Sequence, residues 1–271
     1  MHDMVDSPYL VAPGRKLSLT KRATEHTGRF KNKQDAAAAI RKNLEQLDHL
    51  QELLYAQAKR AVLVVFQAMD CGGKDGAIEH VFSGINPQGC HVTSFKKPTP
   101  IELEHDFLWR IHHATPRKGM IGIFNRSHYE SVLVERVHEL VPEKVWKKRY
   151  DRINEFERLL ADEGTTIVKF FLHISKQEQK QRLQARLGDP SKHWKFNIAD
   201  LKERDRWDEY QQAYQDALEK CSTDHAPWYC VPADKKWFRN WVISDTLART
   251  LKSLDLAYPP AEEGLDKVVI K

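Results

Sequence analysis

Residues 67–76, QAMDCGGKDG, place three glycines, a lysine and two aspartates directly after an apolar run. Small residues let backbone N–H groups surround a phosphate, and a helix N-terminus and a lysine add positive charge there. This segment therefore predicts a phosphate-binding loop (P-loop), although a tight strand-to-helix turn would use the same glycines. The residues predicted to contact phosphate are Gly72, Gly73, Lys74, Asp75 and Gly76.

The loop departs from the general G-x-x-x-x-G-K-[ST] pattern at two positions. Ala68 stands where the first glycine is expected, and Asp75 replaces the hydroxyl residue that usually binds Mg²⁺. Asp70 is the obvious replacement, because a carboxylate inside a phosphate site repels its own ligand unless a divalent cation lies between them. We therefore expect Asp70 to bind Mg²⁺.

A second group of polar residues, Asn125 to Glu130, follows a later apolar run at residues 120–124. An arginine such as Arg126 can bind an acceptor phosphate with two parallel hydrogen bonds. Ser127 and Glu130 have the spacing of a helix capping box, so Glu130 has two open interpretations, a structural cap and a functional carboxylate.

A third group is basic. Residues 182–206 contain RLGDPSKHWK, in which Gly188 and Pro190 interrupt two helical patterns. Phosphoryl transfer depends on positioning and on charge stabilisation, so a closing segment that carries Arg and Lys suits it. The segment predicts a lid, and a solvated basic loop is the alternative. Residues 14–34 form another basic stretch, with seven Lys or Arg against one Glu.

Short apolar runs alternate with helical patterns along the chain, which predicts a parallel sheet with helices on both faces. Ligands of such sheets bind beyond the carboxyl ends of the strands, where the polar groups above begin. The predicted strands are residues 61–67, 91–95, 120–124, 166–173 and 228–231. The predicted helices are residues 35–59, 76–83, 101–113, 128–140, 143–162, 176–187, 201–221 and 235–254.

Composition narrows the class of protein. The 271 residues include 43 Lys and Arg against 38 Asp and Glu, and only four cysteines. A chain of this length can bury a sufficient core without disulfides, and the cysteine spacing supports neither a disulfide framework nor a zinc site. The longest apolar run, residues 61–66, is far below the roughly 18 residues of a membrane span. We expect a cytoplasmic protein with no membrane or nucleic-acid partner.

We divide the chain into residues 1–60 (a basic extension and a helix), residues 61–258 (the P-loop domain, with the lid at about 182–206) and residues 259–271 (a tail). Across nearly its whole length, the chain resembles the second family of polyphosphate kinases. The segments that carry this resemblance are Asp70-x-x-Gly73-Lys74-x-Gly76, Phe95-Lys96-x-Pro98, residues 105–110 (HDFLWR), residues 125–130 (NRSHYE), Lys192-x-Trp194-Lys195, residues 226–229 (APWY) and Trp237.

The resemblance implies an α/β P-loop kinase fold like that of thymidylate kinase, with a five-stranded parallel sheet, flanking helices and a helical lid. It also implies a need for Mg²⁺, with Mn²⁺ as an alternative ion, and a homodimer or homotetramer. The implied activity is reversible phosphate transfer from inorganic polyphosphate to adenine nucleotides, from AMP through ADP to ATP.

The resemblance further implies roles for individual residues. Catalysis falls to Asp70, Lys74 and Arg126, with Asp70 also at the metal. Polyphosphate lies along Arg186, Lys192 and Lys195. The nucleotide site comprises Lys96, Arg117, Asn125, Arg126 and Glu130. Many members have Asp where Asn125 stands, and an amide binds Mg²⁺ less strongly and cannot act as a base. The NRSHYE pattern is similar to that of the subgroup that phosphorylates both AMP and ADP.

Two other functions use the same residues. An ATP-dependent nucleoside monophosphate kinase would share the P-loop, although the hydroxyl residue that usually follows the P-loop lysine is missing. A non-catalytic polyanion-binding protein would share the basic stretches, although Asp70 and the lid favour catalysis.

Overall fold

A five-stranded parallel sheet forms the centre of the computed structural model, which describes residues 5–270. All eight residues of the middle strand β1 are buried, as expected for an apolar run covered on both faces. The strands are β1 (Ala61–Ala68), β2 (Cys90–Ser94), β3 (Ile121–Asn125), β4 (Thr165–His173) and β5 (Trp228–Pro232). Their spatial order is β2-β3-β1-β4-β5. The predicted α/β fold and all five predicted strands are confirmed.

Helices cover both faces of the sheet. The α-helices are α1 (Lys33–Gln57), α2 (Lys74–Phe82), α3 (Pro100–Leu103), α4 (Trp109–His113), α5 (Val134–Val137), α6 (Glu143–Asp162), α7 (Lys176–Leu187), α8 (Ala199–Asp205), α9 (Trp207–Cys221) and α10 (Lys236–Lys252). Within residues 5–270, five 3₁₀ turns occupy Leu19–Lys21, Pro87–Gly89, His128–Ser131, Pro190–Lys195 and Leu265–Lys267. None of the helices within residues 5–270 combines the length and apolarity that a membrane crossing requires.

Three predicted helices are wrong as continuous elements. Residues 101–113 form α3 and α4, residues 128–140 form a 3₁₀ turn and α5, and residues 201–221 form α8 and α9. Between the 3₁₀ turn and α5, Leu133 adopts a non-helical backbone conformation (φ −106°, ψ −82°) while its side chain is buried. Apolar side chains can therefore keep a helix-like spacing along a backbone that is not one helix.

The strand order brings the polar groups together. β1 pairs with β3 on one side, and Phe66 of β1 lies opposite Asn125 of β3. Because β1 and β3 are parallel, their carboxyl ends lie at the same end of the sheet. Here the connections that follow the strands change direction across the sheet. That switch point is where open α/β sheets bind their ligands.

Residues before β1 belong to the same hydrophobic core. Helix α1 packs against α10 and buries Ile40, Leu47 and Leu54. Further towards the N-terminus, residues 9–11 pair antiparallel with the edge strand β5, through Val11 N–H to Trp228 O (2.8 Å) and Cys230 N–H to Tyr9 O (2.8 Å). The division into extension, domain and tail stays a prediction.

Candidate active site

The loop between β1 and α2 has the tight backbone that the glycines predict. Gly73, the residue before α2, has φ +92°, in the left-handed region that side chains disfavour. At Gly72 a Cβ atom would lie 2.4 Å from the Cβ of Ala68 and 2.8 Å from the carbonyl oxygen of Met69. Both positions therefore require glycine, and the first N–H groups of α2 are left without helical partners, free for an anion.

Lys74 is the first residue of α2, two residues earlier than the predicted helix start at residue 76. Its Nζ donates a hydrogen bond to the carbonyl oxygen of Ala68 (3.2 Å). Burial and the nearby Arg126 lower the pKa of Lys74, while the carboxylates around it oppose that shift. A bound phosphate would strengthen the charged form, so this lysine is suited to an anionic ligand.

Side chains from distant helices hold the loop from outside. Gln179 Nε2 donates to Asp70 O (2.9 Å), Arg182 Nη1 to Cys71 O (2.9 Å) and Gly72 O (3.0 Å), and Arg239 Nη1 to Gly73 O (2.9 Å). Arg239 is buried, and burial together with the charge of Arg182 lowers the pKa of its guanidinium to about 10. Sequence analysis missed Gln179 and Arg239, because nothing in their local pattern marks a contact more than 100 residues away.

Arg182 also connects the loop to the residue after β5, since its Nη2 donates a hydrogen bond to Ala233 O (2.6 Å). Its Nε donates to Glu178 Oε1 (2.7 Å). The predicted lid begins at this residue. Because Arg182 is fixed to the P-loop carbonyls, a segment that closes over the loop would begin after it.

The end of β3 meets the P-loop through two contacts. Asn125 Nδ2 donates to Asp75 Oδ1 (2.6 Å), and Arg126 Nη2 lies 3.3 Å from Asp70 Oδ1. Arg126 has a positive φ of 62°, and its backbone N–H bonds Phe66 O of β1 (3.1 Å). Burial acts against its charge, but the carboxylates of Glu130 and Asp70 raise the pKa of Arg126. This guanidinium is therefore held in its charged form beside the P-loop.

The capping box predicted for Ser127 and Glu130 is wrong. Ser127 Oγ accepts from the N–H of Tyr129 (3.2 Å), inside a 3₁₀ turn instead of an α-helix. The carboxylate of Glu130 interacts with Arg126 and Lys74, and burial raises its pKa in spite of these cations. The functional role of Glu130 stays a prediction, since Glu130 is not among the residues that line the P-loop cleft.

The basic residues of the predicted lid line the same cleft. Arg186 Nη1 donates to Lys195 O (3.0 Å) and lies 3.9 Å from Asp200 Oδ2. Lys192 pairs with Asp189, and its side chain is 54% exposed. Lys195 Nζ lies 4.8 Å from the ring centroid of Trp194, which is 78% exposed. Lys192 therefore has a close carboxylate partner with which a ligand would compete, whereas the carboxylate near Arg186 is more distant.

Asp200 of α8 is a further carboxylate of the cleft, and sequence analysis missed it. Burial and the nearby charge of Asp70 raise its pKa. Two carboxylates, one on the loop and one on the lid, therefore influence each other across the site.

The P-loop cleft measures about 1080 Å³. Its described lining residues include ten Lys or Arg against four Asp or Glu, a balance suited to a polyanion. Lys96 lines this cleft and also a neighbouring one of about 730 Å³. Arg117 lines only the neighbouring cleft, so its predicted contact with nucleotide phosphates stays a prediction.

The residues present fit a magnesium ion. Asp70 and Asp75 both line the cleft beside the residues predicted to bind phosphate. Mg²⁺ usually takes one or two protein carboxylates and completes its shell with substrate phosphates and water. A protein cage of three or more His, Cys, Asp or Glu side chains, which the described part of the chain lacks, is therefore not required.

Comparisons with known proteins agree with this geometry. The family described as Polyphosphate kinase 2 matches residues 30–258. An AMP/ADP-polyphosphate phosphotransferase of Meiothermus ruber is 54% identical over 97% of this chain and 99% of its own length. An ADP-polyphosphate phosphotransferase of Rhodopseudomonas palustris is 48% identical over 97% of this chain and 95% of its own. The crystal structure of a polyphosphate kinase 2 from Arthrobacter aurescens TC1 superposes with a TM-score of 0.90 at 44% identity, covering 93% of this chain and 90% of that one.

Proposed function

The chain belongs to the polyphosphate kinase 2 family, and we propose that it transfers phosphate from inorganic polyphosphate to AMP and to ADP. The observation that carries the proposal is the cleft itself, which is lined by the P-loop and by three cations of the predicted lid, Arg186, Lys192 and Lys195. A polymer of phosphates carries a charge on every unit, so it needs such a row of cations beyond the reacting phosphate. An adenosine triphosphate donor would need fewer.

On the donor side, the P-loop N–H groups and Lys74 bind the phosphates next to the bond that breaks. Arg126 lies beside the P-loop and stabilises the charge of the phosphate in transfer. In phosphoryl transfer such positioning and charge stabilisation supply most of the rate. Gln179, Arg182 and Arg239 act indirectly, because they hold the loop carbonyls and so fix the direction of its N–H groups.

Asp70 and Asp75 are the side chains that would hold Mg²⁺ in this site. When bound, the ion neutralises negative charge on the transferring phosphate and its neighbours. Mn²⁺ has a similar preference for oxygen ligands and would serve as an alternative.

On the acceptor side, no general base is needed. The second ionisation of a phosphate monoester lies near pH 6, so the attacking oxygen is already ionised at neutral pH. An amide at position 125 is therefore compatible with catalysis. Asn125 also adds no negative charge near the acceptor phosphates, which favours acceptors with one or two phosphates. Glu130 is the residue we assign to orienting the shorter acceptor.

The test is to mix polyphosphate, AMP, Mg²⁺ and enzyme freed of adenylate kinase, and to follow nucleotides by chromatography. We expect ADP to appear first and ATP to follow. ADP without later ATP would reject the dual-acceptor proposal. Phosphorylation of AMP with ATP but not with polyphosphate would support a nucleoside monophosphate kinase instead. We further propose a cytoplasmic homodimer or homotetramer, which cell fractionation and light scattering would test.

A further inference from the structure

A buried polar cluster occupies the core between the loop after β3, helix α6 and strand β4. Its members are His128, Tyr129, Glu157 and Lys169, and each is at most 2% exposed. Lys169 stands in the buried strand β4 and Glu157 on the buried face of α6. None of the four lines the P-loop cleft, so the direct chemistry of the site leaves them unexplained.

Hydrogen bonds connect all four side chains of the cluster, although Nδ1 of His128 has no partner among the described residues. Lys169 Nζ donates to Glu157 Oε2 (2.5 Å), Tyr129 Oη (2.8 Å) and Cys221 O (2.7 Å). The hydroxyl of Tyr129 donates in turn to Glu157 Oε1 (2.9 Å), which also lies 3.1 Å from His128 Nε2. The lysine and the carboxylate therefore bind two consecutive side chains of the loop.

A buried ion pair is a weak source of stability, since losing water around two charges offsets much of their attraction. A pair of apolar residues could fill the same space. What the ion pair provides is direction, because its hydrogen bonds fix where the loop residues His128 and Tyr129 lie. Those residues are flanked in the chain by Arg126 and Glu130, whose side chains interact with the P-loop.

Arg126 needs such an anchor. Its φ of 62° is uncommon for a residue with a side chain, and a conformation of this kind persists only where surrounding contacts fix it. The backbone hydrogen bond from Arg126 N–H to Phe66 O fixes one end of the loop, and the hydrogen bond from the Tyr129 hydroxyl to Glu157 fixes the other.

We propose that Tyr129, held by the Lys169–Glu157 pair, is a positioning residue that sets the place of Arg126 in the P-loop cleft. The inference rests on the proposed function, because Arg126 acts there on the transferring phosphate. Loss of the hydroxyl lets the turn shift while the ion pair keeps its other partners, and displacements of about 1 Å at a reacting group cost up to roughly 100-fold in rate.

The test compares Tyr129→Phe with Tyr150→Phe. Tyr150 is also buried and its hydroxyl also has a charged partner, Arg136 Nη1 (3.0 Å), but it lies on α6 outside the loop. We expect Tyr129→Phe to lower kcat about tenfold, with the KM for polyphosphate changed less than twofold, and Tyr150→Phe to leave kcat within twofold. Equal kcat values for two variants with similar melting temperatures would overturn the inference.

A second measurement separates positioning from general damage. In an Arg126→Lys background, Tyr129→Phe should cause less than a twofold further loss of kcat, because the group it positions is already gone. A tenfold further loss would show that Tyr129 acts independently of Arg126, against the inference. A parent enzyme inactive with polyphosphate would contradict the proposed function and this inference together, whereas an active parent with additive variants would contradict this inference alone.

Discussion

Asn125→Asp tests the contact that joins β3 to the P-loop helix. The amide of Asn125 donates to Asp75 Oδ1 across 2.6 Å. An aspartate keeps the size of the side chain, removes the donor and places a second carboxylate against the first. The variant therefore converts an attraction into a repulsion without creating a cavity.

The magnitude follows from the contact. A hydrogen bond to a charged group contributes about 1.5–3 kcal/mol, at the lower end here because the pair is exposed. Two like charges about 4 Å apart repel by about 1 kcal/mol in water and by about 4 kcal/mol at an effective dielectric constant of 20. With solvent screening, we expect a net loss of about 1–3 kcal/mol, or roughly 2–12 °C in Tm for a domain of this size.

The assay is thermal melting at several pH values with and without Mg²⁺. The loss should be largest near neutral pH without metal. It should shrink towards pH 4, where one carboxyl group of the pair keeps a proton and can donate it, and it should shrink when Mg²⁺ binds between the two carboxylates. Asn86→Asp is the matched control, because the side chain at 86 accepts from Gln88 N–H and an aspartate can do the same.

The charge-swapped double variant Asn125→Asp with Asp75→Asn restores one donor and one carboxylate, and should recover most of the lost Tm. A melting temperature for Asn125→Asp that equals the parent's, with no response to Mg²⁺ or pH, would refute the reasoning.

Two further predictions concern the cleft. Asp70→Asn and Lys74→Ala should each lower kcat by about 10²–10³-fold while Tm stays within a few degrees, because both residues act on phosphate charge and neither fills the core. Steady-state activity within a few fold of the parent would reject the P-loop assignment. Lys192→Ala and Lys195→Ala should raise the apparent KM for long polyphosphate and weaken its salt dependence, with the nucleotide KM less affected. The control variant Lys147→Ala, on α6 and outside the cleft, should change neither KM. A rise confined to the nucleotide KM would show that the two sites are reversed.

The sequence predicts the sheet well because β1, β3, β4 and β5 are short, mainly apolar runs that are largely buried, whereas the edge strand β2 is mostly exposed. β1 and β4 lie where continuous burial requires apolar side chains, and the polar residues directly after β1 and β3 reach the same edge. Local chemistry also predicts the glycines of the P-loop, since positive φ and close backbone approach leave few alternatives.

The rest of the site depends on contacts that no local pattern records. Arg239 and Gln179 hold the P-loop from helices far along the chain. Lys169 stands in an otherwise apolar strand, and only the folded structure shows the Glu157 carboxylate that compensates it. The 3₁₀ turn at residues 128–131 differs from the predicted helix because Tyr129 and Leu133 are both buried, and their four-residue spacing is also that of one helix face.

The antiparallel pairing of residues 9–11 with β5 bears on how the chain reaches its folded state. The two partners are separated by more than 200 residues, so during synthesis the N-terminal segment emerges long before the strand it will join. Contacts with such a large separation close slowly. Until they close, β5 presents an open edge of backbone groups, which is a template for pairing with another chain. We therefore expect docking of residues 9–11 to be a late step of folding, and in the folded chain these residues cover the strand edge that could otherwise pair with another chain.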